Sequence, residues 1–197
     1  MATSAGIAGV AKSIERLLKL RFGEEEPTTG STPTKVKLVT TENFRRVDLP
    51  ALTIYLFRID LNRVMRPAWS AAGYEDGRGH LPLDLHFLLT AWAADAEDEY
   101  RILGRAMECL EASPILTGPL LNSLNASIWT ASDSIQLLVD EVPSESILRL
   151  FDLLPVKHKL SVTYLARVLR LDTRPVVPDM PVGTIVEGLI PSVGSMS

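Results

Sequence analysis

Residues 81–113, LPLDLHFLLTAWAADAEDEYRILGRAMECLEAS, change their periodicity half-way along. In the first half Leu83, Leu85, Phe87, Leu89 and Ala91 fall on one side of an extended chain, and Asp84, His86, Leu88, Thr90 and Trp92 fall on the other. This pattern is that of a largely buried strand. In the second half Ala96, Tyr100, Leu103, Met107 and Leu110 recur at helical spacing and predict an amphipathic helix. Asp95 stands at the N-cap, and Glu97, Asp98 and Glu99 crowd the first turn, where carboxylates complement unpaired backbone N–H groups and the helix dipole. These acids therefore have a structural role before any chemical one.

Upstream, Ile7, Val10, Ile14, Leu17 and Leu18 form an apolar stripe among Lys12, Glu15, Arg16 and Lys19, predicting a helix over Ser4 to Phe22 that Gly23 ends. The polar EEEPTTGSTPT that follows is a loop, and Lys35 to Thr40 alternates as an exposed or edge strand. A more apolar strand spans Leu52 to Ile59. Residues 60–80 hold Pro67 and three glycines without sustained period and read as a long loop.

Downstream, SPILTGPLLNS forbids a long regular element because of Pro114, Gly118 and Pro119. Ile128 to Thr130 and Ile135 to Val142 read as short extended segments, and Ser146 to Leu154 as a short helix with Ile147, Leu150, Phe151 and Leu154 on one face. In the strand Leu160 to Leu171, Leu160, Val162, Tyr164, Ala166 and Val168 alternate with Ser161, Thr163, Leu165 and Arg167. The elements do not alternate as regular βαβ units, so the expected class is α/β in the α+β sense, a mixed sheet packed by helices. Two regions are expected: a domain over residues 1–172 and an extended tail over 173–197, which holds four prolines.

Composition narrows the function classes. The chain of 197 residues is 46% hydrophobic and 22% charged, as in an ordinary globular domain. Its net charge of −4 gives no electrostatic reason to bind nucleic acid or an anionic membrane. The mean hydropathy of +0.15 leaves apolar surface for subunit contacts or for a large core. With one cysteine, Cys109, no intrachain disulfide can form. The N-terminal stretch lacks the pattern of a secretory signal, and no apolar run reaches the roughly 20 residues that span a bilayer. A cytoplasmic protein is expected.

The motifs of catalysis are missing. His80, His86 and His158 share no ligand spacing with one another or with Cys109, and no metal or cofactor is expected. His86 reads as a hydrogen-bonded core or interface histidine, and Cys109 as a small buried hydrophobe. Gly73, Gly77 and Gly79 are followed by neither GK[ST] nor a helix start, and no serine occupies a G-x-S-x-G elbow. Arg45, Arg46, Arg63 and Arg66, with only Phe44 and Trp69 nearby, suit a solvated surface or acidic protein partners better than a base-stacking platform.

The order of an apolar N-terminal helix, YLFRIDLNRVMR, then LPLDLHFLLTAWAADAEDEYRILGRAMECLEASPIL, then SESILRLFDLLPVKHKLSVTYLARVLRLD resembles the cap or tail-terminator proteins of phage-tail-like contractile injection systems. The resemblance runs from Gly6 to Leu171. Its most specific parts are Asn62 closing the second strand, the LDLHFLLTAWA strand, the DEYRILGRA helix with its PIL exit, and the LSVTY strand after a helix carrying LFDLL. Residues Arg63 to His80 and the tail after Asp172 depart from it.

The resemblance implies a non-enzymatic subunit that assembles as a hexameric ring on the baseplate-distal end of an inner tube and contractile sheath, ends their polymerisation and ties one to the other. No catalytic residue is carried over. Met65, Trp69 and Tyr74 in the long loop are candidates for contacts between neighbours, against the alternative that they tuck onto their own domain. The run Thr184, Ile185, Val186, Leu189 and Ile190 between Pro181 and Pro191 is a candidate docking strand. Another adaptor or connector subunit of a phage-like particle, or a small cytoplasmic enzyme whose site only the fold assembles, remain the rival classes.

Overall fold

The computed structural model describes residues 5–68, 80–122, 129 and 133–172. In chain order the elements are α1 (Gly6–Glu24), β1 (Lys35–Leu38), a 3₁₀ turn (Thr41–Arg45), β2 (Ala51–Leu61), β3 (His80–Trp92), α2 (Ala96–Glu111), β4 (Ile115–Thr117), α3 (Gly118–Asn122), β5 (Ser134–Val139), α4 (Ser144–Leu153) and β6 (Ser161–Asp172). The strands form one sheet in the order β1-β2-β3-β6-β5-β4. Only the β1–β2 pair is parallel, so the sheet is mixed, as expected.

β3 has a strand on each edge and a hydrophobic cluster on each face. Leu83, Leu85, Phe87, Leu89 and Ala91 join α1 and α2 in the larger core, with Val10, Ile14, Leu17, Leu18, Ile102 and Ala106 opposite them. On the other face Leu88 and Trp92 pack with Phe44 of the 3₁₀ turn, Phe151 of α4, and Leu154 just beyond it. The ring of Phe44 meets Tyr55 edge-on at 5.3 Å and lies 6.1 Å from Trp92. The Trp92 indole N–H donates to Thr53 Oγ1 (2.9 Å), whose hydroxyl in turn donates to the Thr90 carbonyl (3.3 Å). Its buried polar atom is thereby satisfied.

The alternation of residues 83–92 thus separates two cores. α2 begins as its sequence predicts: the Asp95 carboxylate accepts from the Asp98 N–H at 2.9 Å, Glu97 pairs with Arg101, and Glu99 pairs with Lys159. Burial holds the Cys109 thiol above its ordinary range. That side chain is buried, as expected.

Several boundaries and faces differ from the sequence reading. α1 continues through Gly23 to Glu24, because Gly23 does not take the left-handed conformation by which a glycine ends a helix. On α2 the buried residues are Ile102, Leu103, Ala106, Cys109 and Leu110, while Tyr100 and Met107 are 61% and 39% exposed. Small Ala106 and Cys109 allow α2 a close seat on the sheet, and the bulkier Tyr100 and Met107 fall on its flank. In β6 Tyr164, Ala166 and Leu169 are buried. Leu83 pairs with Leu169 and Leu85 with Ala166, so β6 carries an extra residue, and Val168 does not share the face of Ala166. His80 is not in a loop but opens β3, and β2 continues to Leu61. β5 ends at Val139. Trp129 has no regular structure, and its indole lies against Gly9 of α1; Ile128 and Thr130 lie outside the described residues. The 3₁₀ turn, which supplies Phe44, was not foreseen because a single buried residue has no period.

Leu103→Asp should abolish soluble expression, because it buries an unpaired carboxylate at a cost of several kcal/mol. Met107→Asp should remain folded with a melting temperature close to that of the parent. Equal loss of soluble protein in both variants would show that the buried face of α2 is wrongly placed.

Candidate assembly surfaces

At the end of the sheet where β2 hands over to β3, polar side chains replace the second apolar core. An extra residue in β2 lets Arg58 pair with His86 while Leu56 pairs with Phe87. His86 is buried, and its two ring nitrogens face carboxylates: Nδ1 lies 2.6 Å from Asp140 and Nε2 lies 3.2 Å from Asp60. Arg58 Nε donates to Asp60 at 3.0 Å, and its Nη2 sits 3.1 and 3.3 Å from the two imidazole nitrogens. Asp140 is itself fixed by backbone exchange with β6, its N–H donating to the Thr163 carbonyl and its carbonyl accepting from the Thr163 hydroxyl. The cluster therefore ties β2, β3, β6 and the end of β5 together. The Thr163 hydroxyl beside it is turned to the Asp140 carbonyl, and both ring nitrogens of His86 face carboxylates.

Next to it Asn62 closes β2. Its amide N–H₂ donates to both oxygens of Asp84 at 3.0 and 3.2 Å, and its side-chain oxygen accepts from the Met65 N–H at 3.0 Å. At the neighbouring strand ends His80 Nδ1 contacts Asp172, which Arg170 Nε approaches at 3.3 Å. Among the described residues no group of histidine, cysteine and carboxylate side chains is arranged to hold a metal ion.

Among the described residues three groups of apolar side chains are exposed, besides Leu20, Leu49, Ile115, Val139 and Leu160. Ile59, Leu61 and Val64 are exposed around the end of β2. Because β1 pairs only with Ala51–Ile54, the remainder of β2 has an open edge on that side among the described residues. On the first face of the sheet Tyr100 and Met107 stand on the outer side of α2, and on the second face Leu148 and Leu153 stand on α4. A groove of about 270 Å³ beside α4 is lined by Phe57, Val142, Ile147, Leu150 and Leu153, with Arg58 and Arg149 at its rim.

Of the interface residues expected from the sequence, Met65 is half-buried beside Asn62. Trp69, Tyr74, Thr184, Ile185, Val186, Leu189 and Ile190 lie outside the described residues. The exposed pair Tyr100 and Met107 was missed because helical spacing placed both in the core stripe. Leu153 carried a usable signal, since it falls outside the stripe of Ile147, Leu150, Phe151 and Leu154.

The family described as the Pvc16 N-terminal domain matches residues 9–184, from α1 to beyond the end of β6. The chain belongs to this family. Two solved structures share the fold of this Pvc16 N-terminal domain chain. One is a PVC sheath/tube terminator of an extracellular contractile injection system in its extended state, with a TM-score of 0.56 and 16% identity over 97% of this chain. The other is the tube-terminating cap of the anti-feeding prophage, with a TM-score of 0.56 and 15% identity over 93% of this chain. This chain spans 65% of the length of the first and 60% of the second. No curated protein matches it. No helix among the described residues is long and apolar enough to cross a membrane.

His86→Ala should destabilise the domain by about 1–3 kcal/mol, because it leaves the Asp140 carboxylate without its buried partner. Asp60→Asn, at a half-exposed position, should cost less. Urea midpoints check the order, and a parental midpoint for His86→Ala would remove the cluster from the account of stability.

Proposed function

We propose that this chain is the cap, or tail terminator, of a contractile injection system. The observation that carries this reading is that membership of the Pvc16 N-terminal domain family and the fold of a sheath/tube terminator extend over nearly all of the described chain. The chain is then a structural subunit that forms a hexameric ring at the baseplate-distal end of the particle. One side of the ring copies the contacts of the next tube or sheath layer, and the other offers no site for further addition. A closed ring serves this because heterologous contacts that close do not propagate. In this reading the partners are identical neighbours, inner-tube protein and sheath protein, and the work is done by binding surfaces, with no reaction assigned. Assembly takes place in the cytoplasm, on the growing particle.

The domain over residues 1–172 supplies the ring, and the tail over 173–197 supplies a link to a neighbour or to the last sheath layer. Thr184, Ile185, Val186, Leu189 and Ile190 have the composition of a strand added to another sheet's edge, with Pro181 and Pro191 limiting uncontrolled pairing. Met65, Trp69 and Tyr74 belong to the contacts between neighbours.

Particles from a strain carrying the gene should have uniform length and a sixfold density at the end away from the baseplate. Particles from a strain lacking it should have unregulated tubes or detached sheaths, with that density gone. Unchanged length and end density in the deletion strain would overturn the cap reading.

A chain truncated after Asp172 keeps the His80–Asp172 contact, so it should melt as the full chain does and yet lose retention on sheathed particles or lose ring formation. Normal capping by the truncated chain would make the tail dispensable.

A further inference from the structure

We propose that the outer stripe of α2 on one copy docks into the α4 groove of the next, and that this unlike pair of surfaces is the contact that builds the ring. The inference deepens the cap reading and rests on it for closure into a ring; the contact itself is argued from the two surfaces.

The first surface is Tyr100, Gly104 and Met107, which follow one another at four and three residues and so lie in one row along α2. Tyr100 and Met107 are exposed, and a Cβ placed on Gly104 would meet nothing within 4 Å. The row is two adaptable apolar side chains with a gap between them, where a partner's side chain can reach the helix backbone. Tyrosine and methionine are enriched at interface cores. Glu97, Asp98, Glu99, Glu108 and Glu111 outnumber Arg101 and Arg105 on this helix; Glu97 pairs with Arg101, Glu108 with Arg105 and Glu99 with Lys159, so the acidic surplus rests on Asp98 and Glu111. The surface is apolar along its middle and acidic around it.

The second surface offers apolar walls with arginines among them. The groove of about 270 Å³ is floored by Phe57, Ile147 and Leu150 and walled by Leu153, which is 80% exposed. Arg149 stands at its rim, with only a solvent-exposed i,i+4 partner in Glu145. Around Leu153 a larger depression, of about 690 Å³, adds Arg45 and Arg46 against the single acid Glu42. Apolar side chains from α2 would fill the groove while the arginines meet the acids of the same helix, which also sets the direction of docking.

The two surfaces lie on opposite faces of one strand. α2 packs with Leu85, Phe87 and Leu89, and α4 packs with the Leu88 and Trp92 side. One copy cannot bring them together, so each copy has one surface to give and one to receive. A second copy of this chain is the occupant for which both the charge and the apolar pattern are already present.

Cysteines at Met107 and Leu153 test the contact, because both positions are exposed and Cys109 is buried. The doubly substituted full chain, Met107→Cys with Leu153→Cys, is oxidised on isolated particles and as concentrated protein. The expected result is a ladder of linked multimers that ends at the ring size on particles. Met107→Cys and Leu153→Cys alone should stay unlinked, yet a mixture of the two should give linked dimers and nothing larger. Adding Arg149→Glu should reduce linking at least about tenfold without changing the melting temperature. Cross-linked dimers from either single variant would show that like surfaces meet and would overturn the proposal. So would a capped particle whose doubly substituted chains remain unlinked, and in that case the cap reading stands. Linked multimers in solution with no chain on particles would instead sustain the contact and remove the cap reading.

Discussion

Every layer of this fold depends on β3 being buried on both faces and paired on both edges. A strand with water on one face can be shifted or replaced with modest loss. One that supplies Leu85, Phe87 and Leu89 to one core and Leu88 and Trp92 to another holds both in register at once. Fully burying each such side chain contributes roughly 1.5–3 kcal/mol. A slip by one residue would exchange the two sets, placing Asp84 and His86 against the apolar side chains of α1 and α2.

The second face carries the cost of this arrangement. Its apolar part is small and built from short, irregular pieces, the 3₁₀ turn and α4, so it ends before the strand does. Beyond that point β3 still needs satisfied neighbours, and the polar groups of Arg58, Asp60, His86 and Asp140 supply them. The extra residue in β2 is what turns Arg58 toward His86. A corresponding extra residue in β6 restores Leu169 to the larger core, so each strand beside β3 adjusts its phase once. Buried carboxylates and an imidazole are often a sign of chemistry. In this domain they stitch β2, β3, β6 and the end of β5 together.

A sheet clothed on both sides leaves the outer sides of α2 and α4 as exposed surface. The grooves beside α4 are lined by apolar side chains with Arg45, Arg46, Arg58 and Arg149 among them.

Much of this was legible in the residues alone. The change of period between Trp92 and Ala96, the Asp95 cap, the α1 stripe and the apolar runs of β2 and β6 placed the long elements and the mixed class of sheet, because periodicity and capping are local. The order of motifs carried the family resemblance. Strand order, the phase shifts in β2 and β6, the shift of the buried face of α2 toward Ile102, Ala106 and Cys109, and the burial of Phe44 were not legible, since each depends on what a distant segment places opposite. Tyr100 and Met107 show the limit most plainly: spacing states that a side chain lies on a helix face, while the width of the seat offered by the sheet decides whether that face is covered. The sequence by itself determined which residues had to be buried together along each element; only the tertiary structure decided which apolar residues were left over for a partner, because exposure is a property of the packed whole.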